Sequence, residues 1–220
     1  MIPYGTFTFF LIAFIVLIPV IILGFLGKRS YIYNGISTAI MIVLIFSSDK
    51  HNLFGQKYLS VQLLSFIIYV IWQVALIMFY YKSRQKNNTF AKFVTVMVLS
   101  ILPLALVKIL QSTWLGGHQI HFHESKLIEF VGFLGISYVT FKSVQLIMEI
   151  RDGSIKEIKV GKLIQFISFF PTISSGPIDR YKRFVKDDKK VPTGGEYREL
   201  VLKAIPVSYT HLTLPTNREV

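Results

Sequence analysis

Gln62-Leu63-Leu64-Ser65-Phe66-Ile67-Ile68-Tyr69-Val70-Ile71-Trp72-Gln73-Val74-Ala75-Leu76-Ile77-Met78-Phe79-Tyr80-Tyr81 runs without one Lys, Arg, Asp or Glu, and Lys82 follows at once. About 20 apolar residues in a helix cross the roughly 30 Å of hydrocarbon in a bilayer. An aromatic pair followed by a charge suits the boundary between acyl chains and head groups. The run has no polar face, so it reads as a helix that meets lipid. Four further runs share its texture: about Phe7 to Leu26, closed by Gly27-Lys28-Arg29; Tyr31 to Phe46, short enough to be tilted or partly interfacial; Phe90 to Leu110, with Pro103 as an expected kink; and Leu127 to Ile150. The expected fold class is all-α: a polytopic membrane protein with about five transmembrane helices.

Composition agrees. Of 220 residues 52% are hydrophobic, 15% aromatic and only 16% charged, where a soluble domain carries about 25% charged residues. Mean hydropathy is +0.53. The net charge of +12, from 24 Lys and Arg against 12 Asp and Glu, would point a soluble protein towards nucleic acid. Here the basic residues lie between apolar runs, where anionic lipid and orientation during insertion account for them, so no nucleic-acid partner is expected. The absence of cysteine excludes disulfides, thiolate catalysis and cysteine-based zinc sites.

The loops give a direction. Lys28 and Arg29, then Lys82, Arg84, Lys86 and Lys92, then Arg151, Lys156, Lys159 and Lys162 follow the first, third and fifth runs. Only Lys50 and Lys57, then Lys108 and Lys126, follow the second and fourth. The positive-inside rule then puts the N-terminus outside and the segment after Ile150 in the cytoplasm. No basic residue precedes Lys28, so the first run reads as a retained anchor and not as a cleaved signal.

Beyond Ile150 a polar stretch leads to Leu163-Ile164-Gln165-Phe166-Ile167-Ser168-Phe169-Phe170-Pro171. Its apolar part is too short to span and a proline ends it, which suggests a re-entrant or cavity-lining element over about 163–178. Arg180 to Lys203 is charged and reads as cytoplasmic. Ser208-Tyr209-Thr210-His211-Leu212-Thr213-Leu214-Pro215-Thr216-Asn217-Arg218-Glu219-Val220 neither continues a helix pattern nor makes an amphipathic tail, and it resembles translated sequencing adapter. Residues 1–204 are therefore expected to form the membrane domain, truncated past Ala204, and 205–220 a non-native tail.

The most specific motif is Phe169-Phe170-Pro171-Thr172-Ile173-Ser174-Ser175-Gly176-Pro177-Ile178-Asp179-Arg180-Tyr181. Pro171 stops a helix, Ser174-Ser175-Gly176-Pro177 makes a polar turn, and Asp179 and Arg180 can pair locally. Such a turn either offers hydroxyls and amides to a polar ligand or is a plain interfacial loop. It is not a nucleophile elbow. Together with Gly135-Ile136-Ser137-Tyr138-Val139-Thr140-Phe141-Lys142 in the fifth run, it resembles the membrane-bound O-acyltransferase family. The likeness is strongest to the members that serve teichoic-acid D-alanylation in Gram-positive bacteria, and it covers about residues 1–204.

The resemblance implies the N-terminal half of an O-acyltransferase helical ring in a multi-pass cell-membrane protein. It implies transfer of D-alanine from a thioester on a phosphopantetheinylated D-alanyl carrier protein to teichoic acid, directly or through a relay membrane protein. No bound cofactor is expected. The family's histidine is expected beyond residue 204, so no catalytic residue is assigned within the chain, which is expected to be inactive alone. Candidate substrate- or tunnel-lining residues are Tyr138, Lys142, Gln145, Ser174, Ser175, Gly176, Pro177, Asp179 and Arg180. A non-catalytic membrane scaffold or a transporter subunit is the alternative, although no duplication of the early spans is visible.

Two features follow from the residues alone. Tyr138, Lys142, Gln145 and Glu149 share one helical face, and ionisable groups within a span face a cavity or one another. Lys142 could equally snorkel to the head groups. His118, His121, His123 and Glu124 are zinc-ligand types, but their spacing in a loop opened by Gly116-Gly117 favours a solvated segment, and no metal is expected.

Overall fold

A computed structural model of the chain describes residues 7–28, 31–46, 61–86, 89–111, 135–155, 157–173, 179–189 and 192–213. Among them the protein is all-helical and has no strand. The helices are α1 (Phe7–Phe25), α2 (Tyr31–Phe46), α3 (Val61–Lys86), α4 (Phe90–Gln111), α5 (Ile136–Arg151), α6 (Val160–Ile167), α7 (Tyr181–Lys189) and α8 (Gly194–Thr213), with a 3-10 turn at Phe170–Thr172.

Two of them, Gln62–Lys86 within α3 and Phe90–Ile109 within α4, are long and apolar enough to cross a membrane. The apolar helices Leu11–Phe25 and Ile32–Phe46 are shorter. Helix α3 outruns the expected end at Tyr81. Residues 82–86 hold no Gly or Pro, and the basic Arg84 and Lys86 suit the negative end of a helix. The fifth expected run is helical from Ile136, and residues 127–134 of it lie outside the described residues. Helix α8 continues through Pro206 to Thr213, where the sequence pattern suggested no helix. After Pro206 neither Gly nor Pro interrupts the chain before Pro215, so nothing there enforces a stop.

The chain forms two compact units, one built on Thr38–Asp187, the other on Tyr4–Ser37 and Asp188–Val220. In the second, α1 packs on α8. Phe25 meets the edge of Tyr197 with ring centroids 5.1 Å apart. Gly24 lies under that ring, where a Cβ would come within 2.6 Å of Tyr197 Cε2. A reciprocal capping box starts α8: the Thr193 N–H donates to Glu196 Oε2 at 2.9 Å, and the Glu196 N–H donates to Thr193 Oγ1 at 3.4 Å.

In the first unit α3, α4 and α5 pack against one another, and α6 leans on α3 and α5. The apolar core includes Phe66, Ile77, Val96, Val139, Leu146, Ile147 and Ile150. A polar network crosses the same interior. The Gln73 amide donates to the Ser100 carbonyl at 3.0 Å and accepts from Ser100 Oγ at 2.7 Å. The Tyr69 hydroxyl and Thr140 Oγ1 are hydrogen-bonded at 2.6 Å, joining α3 to α5. Pro103 withholds the N–H that would bond the Leu99 carbonyl, and the Trp72 indole N–H donates to that carbonyl at 3.4 Å. Meanwhile Val94, Val98, Leu102, Leu106 and Ile109 form an exposed apolar stripe along α4.

Removing one member of the Gln73–Ser100 pair strands the other in the interior, at a cost of about 1–2 kcal/mol. A double-mutant cycle with Gln73→Leu and Ser100→Ala, read by unfolding in mixed micelles, should give a favourable coupling of about 0.6–1.7 kcal/mol. Strict additivity would show that the two side chains do not bond.

Candidate functional site

The site grows from an interrupted helix. Helix α6 ends at Ile167, and Ser168 turns back on it, its N–H and its Oγ both donating to the Ile164 carbonyl at 2.9 and 2.5 Å. Pro171 cannot bond the Ile167 carbonyl, because it has no N–H. The 3-10 turn serves itself: the Thr172 N–H and hydroxyl both donate to the Phe169 carbonyl at 3.1 Å, and the Ile173 N–H donates to that of Phe170 at 3.2 Å. The carbonyls of Phe166 and Ile167 are among those at this helix end that need outside donors.

Lys142 supplies them. From the middle of α5 its ammonium donates to the Phe166 carbonyl at 3.3 Å, the Ile167 carbonyl at 3.5 Å and Thr172 Oγ1 at 2.5 Å. The Phe166 ring centroid lies 5.7 Å away. A lysine has three N–H donors, and all three are engaged. Only 2% of the residue is exposed. Sequence reasoning left Lys142 between a cavity-facing and a snorkelling position; in the structure its head is buried and closes a helix end.

The neighbouring glycine makes that close approach feasible. Gly135, which precedes α5, has φ +88°, and an added Cβ would stand 2.5 Å from the Ile173 carbonyl oxygen. The Gly135–Lys142 run and the Phe169–Ile173 run, distant in sequence, thus lie against each other.

The other candidates divide. Asp179 is close enough for its charge to act on Lys142; its Oδ1 accepts from the Arg180 N–H at 2.8 Å and faces the exposed Arg183 at 3.8 Å. Glu149, near the inner end of α5, feels Arg180 and the backbone N–H of Lys182. Both its carboxylate oxygens and Gln145 Oε1 are nevertheless shielded from water without a hydrogen bond of good geometry. Tyr138 is half-buried on the same face. Ser174, Ser175, Gly176 and Pro177 lie outside the described residues, as do His118, His121, His123 and Glu124. Among the described residues no cluster of three or more His, Cys, Asp or Glu could hold a metal.

Helix α7 closes the outer side. Tyr181 and Phe184 meet the Phe166 ring edge-on at 5.5 and 5.4 Å, and Phe184 also meets Phe169 at 5.7 Å. Burial pushes the Tyr181 phenol up from its usual pKa, so it stays neutral at physiological pH. At the same end Arg151 stacks over Phe93 at 4.3 Å and Phe90 at 5.1 Å, tying the end of α5 to the start of α4. Thr172, Gly135 and the Tyr69–Thr140 pair were not among the sequence candidates. Their signal is present, since Thr172 and Gly135 stand in the two motifs and Thr140 in the second of them.

Fold and site together define a class: all-helical among the described residues, with two helices of membrane-crossing length, exposed apolar stripes and a polar network within an apolar core. No family model matches the chain. Relatives do, and they bear one name. The chain is 47% identical over 206 residues to the teichoic acid D-alanyltransferase of Bacillus subtilis (strain 168), covering 93% of this chain and 48% of that protein. It is 45% identical over 206 residues to that of Lacticaseibacillus rhamnosus, covering 92% and 46%. It is 33% identical over 203 residues to that of Streptococcus thermophilus (strain ATCC BAA-250 / LMG 18311), covering 92% and 44%. The chain is thus related along nearly all of its length to the teichoic acid D-alanyltransferases, and it spans about half the length of the relatives it matches.

Two glycines provide a paired test. Gly135→Ala combines a left-handed backbone with a collision against Ile173 and should destabilise by about 1–3 kcal/mol. Gly161→Ala, inside α6 with open space around it, should be neutral or stabilising by roughly 0.5–1 kcal/mol. Thermal unfolding of the purified variants reads both.

Proposed function

We propose that this chain serves the D-alanylation of teichoic acid, as part of a multi-pass membrane O-acyltransferase of Gram-positive bacteria. The observation that carries the reading is 47% identity along 93% of the chain to a protein named for that reaction. A membrane setting is supported by the apolar outer faces beside a polar network in the interior. Gln73, Ser100, Thr140, Lys142 and Ser143 are buried, while Ile67, Ile68, Ile71, Phe79 and the α4 stripe are exposed. Water would penalise such apolar surface, whereas lipid accepts it, and interhelical hydrogen bonds then hold the bundle together. About five spans, an outside N-terminus and a cytoplasmic segment after Ile150 complete the topology. The end where α3 and α5 finish and α4 begins carries Lys82, Lys86, Lys92 and Arg151, all exposed.

The donor in this reading is D-alanine held as a thioester on a carrier protein's phosphopantetheine arm. The acceptor is teichoic acid or a relay membrane protein. An acceptor hydroxyl oxygen attacks the thioester carbonyl carbon, the C–S bond breaks, and the hydroxyl proton ends on the released thiol. A histidine base is expected outside residues 1–204. The basic end would attract an acidic carrier, and the Ser174–Gly176 hydroxyls and amides would polarise the carbonyl or hold the arm.

Reconstitution of the full-length protein in liposomes with a D-alanyl-loaded carrier tests the activity. Protein-dependent loss of the thioester with matching D-alanyl ester on the acceptor supports the reading, and an unchanged thioester contradicts it. Topology is tested separately, because the chain has no cysteine. A single Cys at the exposed Ser154 should react with impermeant maleimide only in inside-out vesicles. Labelling in intact cells would reverse the orientation.

A further inference from the structure

We propose that Lys142 is a positioning residue: by donating to the open end of α6 and to the 3-10 turn, it sets where the segment carrying Asp179 and Arg180 leaves the bundle. Three observations carry this. Among the described residues no backbone N–H bonds the Phe166 or Ile167 carbonyl, and Lys142 bonds both. Its third proton goes to Thr172, so α6 and the turn after Pro171 hang on one nitrogen although no continuous helix joins them. Gly135 lets the Ile173 carbonyl approach so closely that a methyl group would collide with it, so the seat is shaped as well as charged.

The same geometry separates positioning from chemistry. With 2% of the residue exposed and its nitrogen turned onto three protein oxygens, the Lys142 head is committed to the turn. An ammonium is a compact charge suited to three converging oxygens, whereas a guanidinium is a planar fork that does not match them. Among groups packed near this seat, Thr172 and Ser168 are neutral hydroxyls, and the Ser168 hydroxyl is committed to Ile164.

The effect on turnover rests on the D-alanyl-transfer reading, so the test has one arm that does not. In the full-length protein, with any cysteine outside this chain replaced by serine, Ser168→Cys places a near-isosteric thiol at a buried position, 7% exposed, beside the α6 end. With Lys142 present this thiol should be protected from a membrane-permeant maleimide. With Lys142→Met it should react about tenfold faster or more, because three acceptors lose their donor and the end of α6 opens. Thr172→Val, which removes one acceptor only, should give a smaller increase, and Thr172→Ser should restore protection.

In the transfer assay, turnover per folded molecule should fall on the order of tenfold or more in Lys142→Met while KM for the carrier holds. Lys142→Arg should rescue it only in part. A role confined to folding would lower the yield of folded protein and leave turnover per folded molecule unchanged. Equal thiol protection with and without Lys142 overturns the proposal whatever the activity. Faster labelling in a protein that transfers no D-alanine keeps the positioning role and removes the transferase reading instead.

Discussion

The end of α6 is held by a cation from another helix, and most of the surrounding structure follows from that. Pro171 removes the N–H due to the Ile167 carbonyl and forces the chain out of its helix, in an interior where Phe166 and Ile167 are 2% and 0% exposed. In a dry interior a bare carbonyl costs several kcal/mol. The three bonds from Lys142 offset part of that cost, since hydrogen bonds to charged groups are each worth about 1.5–3 kcal/mol. Because the lysine rises from the centre of α5, the broken helix must lie across α5 at that height. Gly135 then has to be glycine, and Ile173 packs where a side chain would otherwise stand. Tyr181 and Phe184 on α7 cover the ring of Phe166 from outside.

Elsewhere in the bundle several backbone and polar groups are likewise met from within. Pro103 opens a carbonyl in α4, and Trp72 of α3 reaches it. Gln73 and Ser100 answer each other across the same two helices, and Tyr69 answers Thr140 across α3 and α5. Each of these bonds lets the outer faces remain apolar. A protein in water would gain most by burying those faces; one in lipid gains from precise interhelical hydrogen bonds.

Much of this could be read from the sequence because it is local. The residues Tyr31–Phe46 are helical throughout, as expected of an apolar run bounded by charged and polar segments. Helical spacing put Lys142, Gln145 and Glu149 on one face, and that face does look inward. The partner of Lys142 was not readable, because two of its acceptors are backbone carbonyls that every residue carries. Only Pro171 hinted that they were free. The Gln73–Ser100 pair spans 27 positions, and no local pattern links such residues. The helix through Pro206 to Thr213 shows the converse weakness: an unusual composition does not by itself forbid a helix. Ser174 to Pro177, the most distinctive letters of the motif, lie outside the described residues, and their part rests on the resemblance alone.

One measurement bears most directly on the central interaction: a side-chain-resolution density map of the full-length protein in a lipid nanodisc. The expected result is Lys142 Nζ within about 3.5 Å of the Phe166 and Ile167 carbonyls and the Thr172 hydroxyl, with α6 broken before Pro171. Lys142 extended towards the head groups or into an open cavity, with those carbonyls met by other donors, would contradict it.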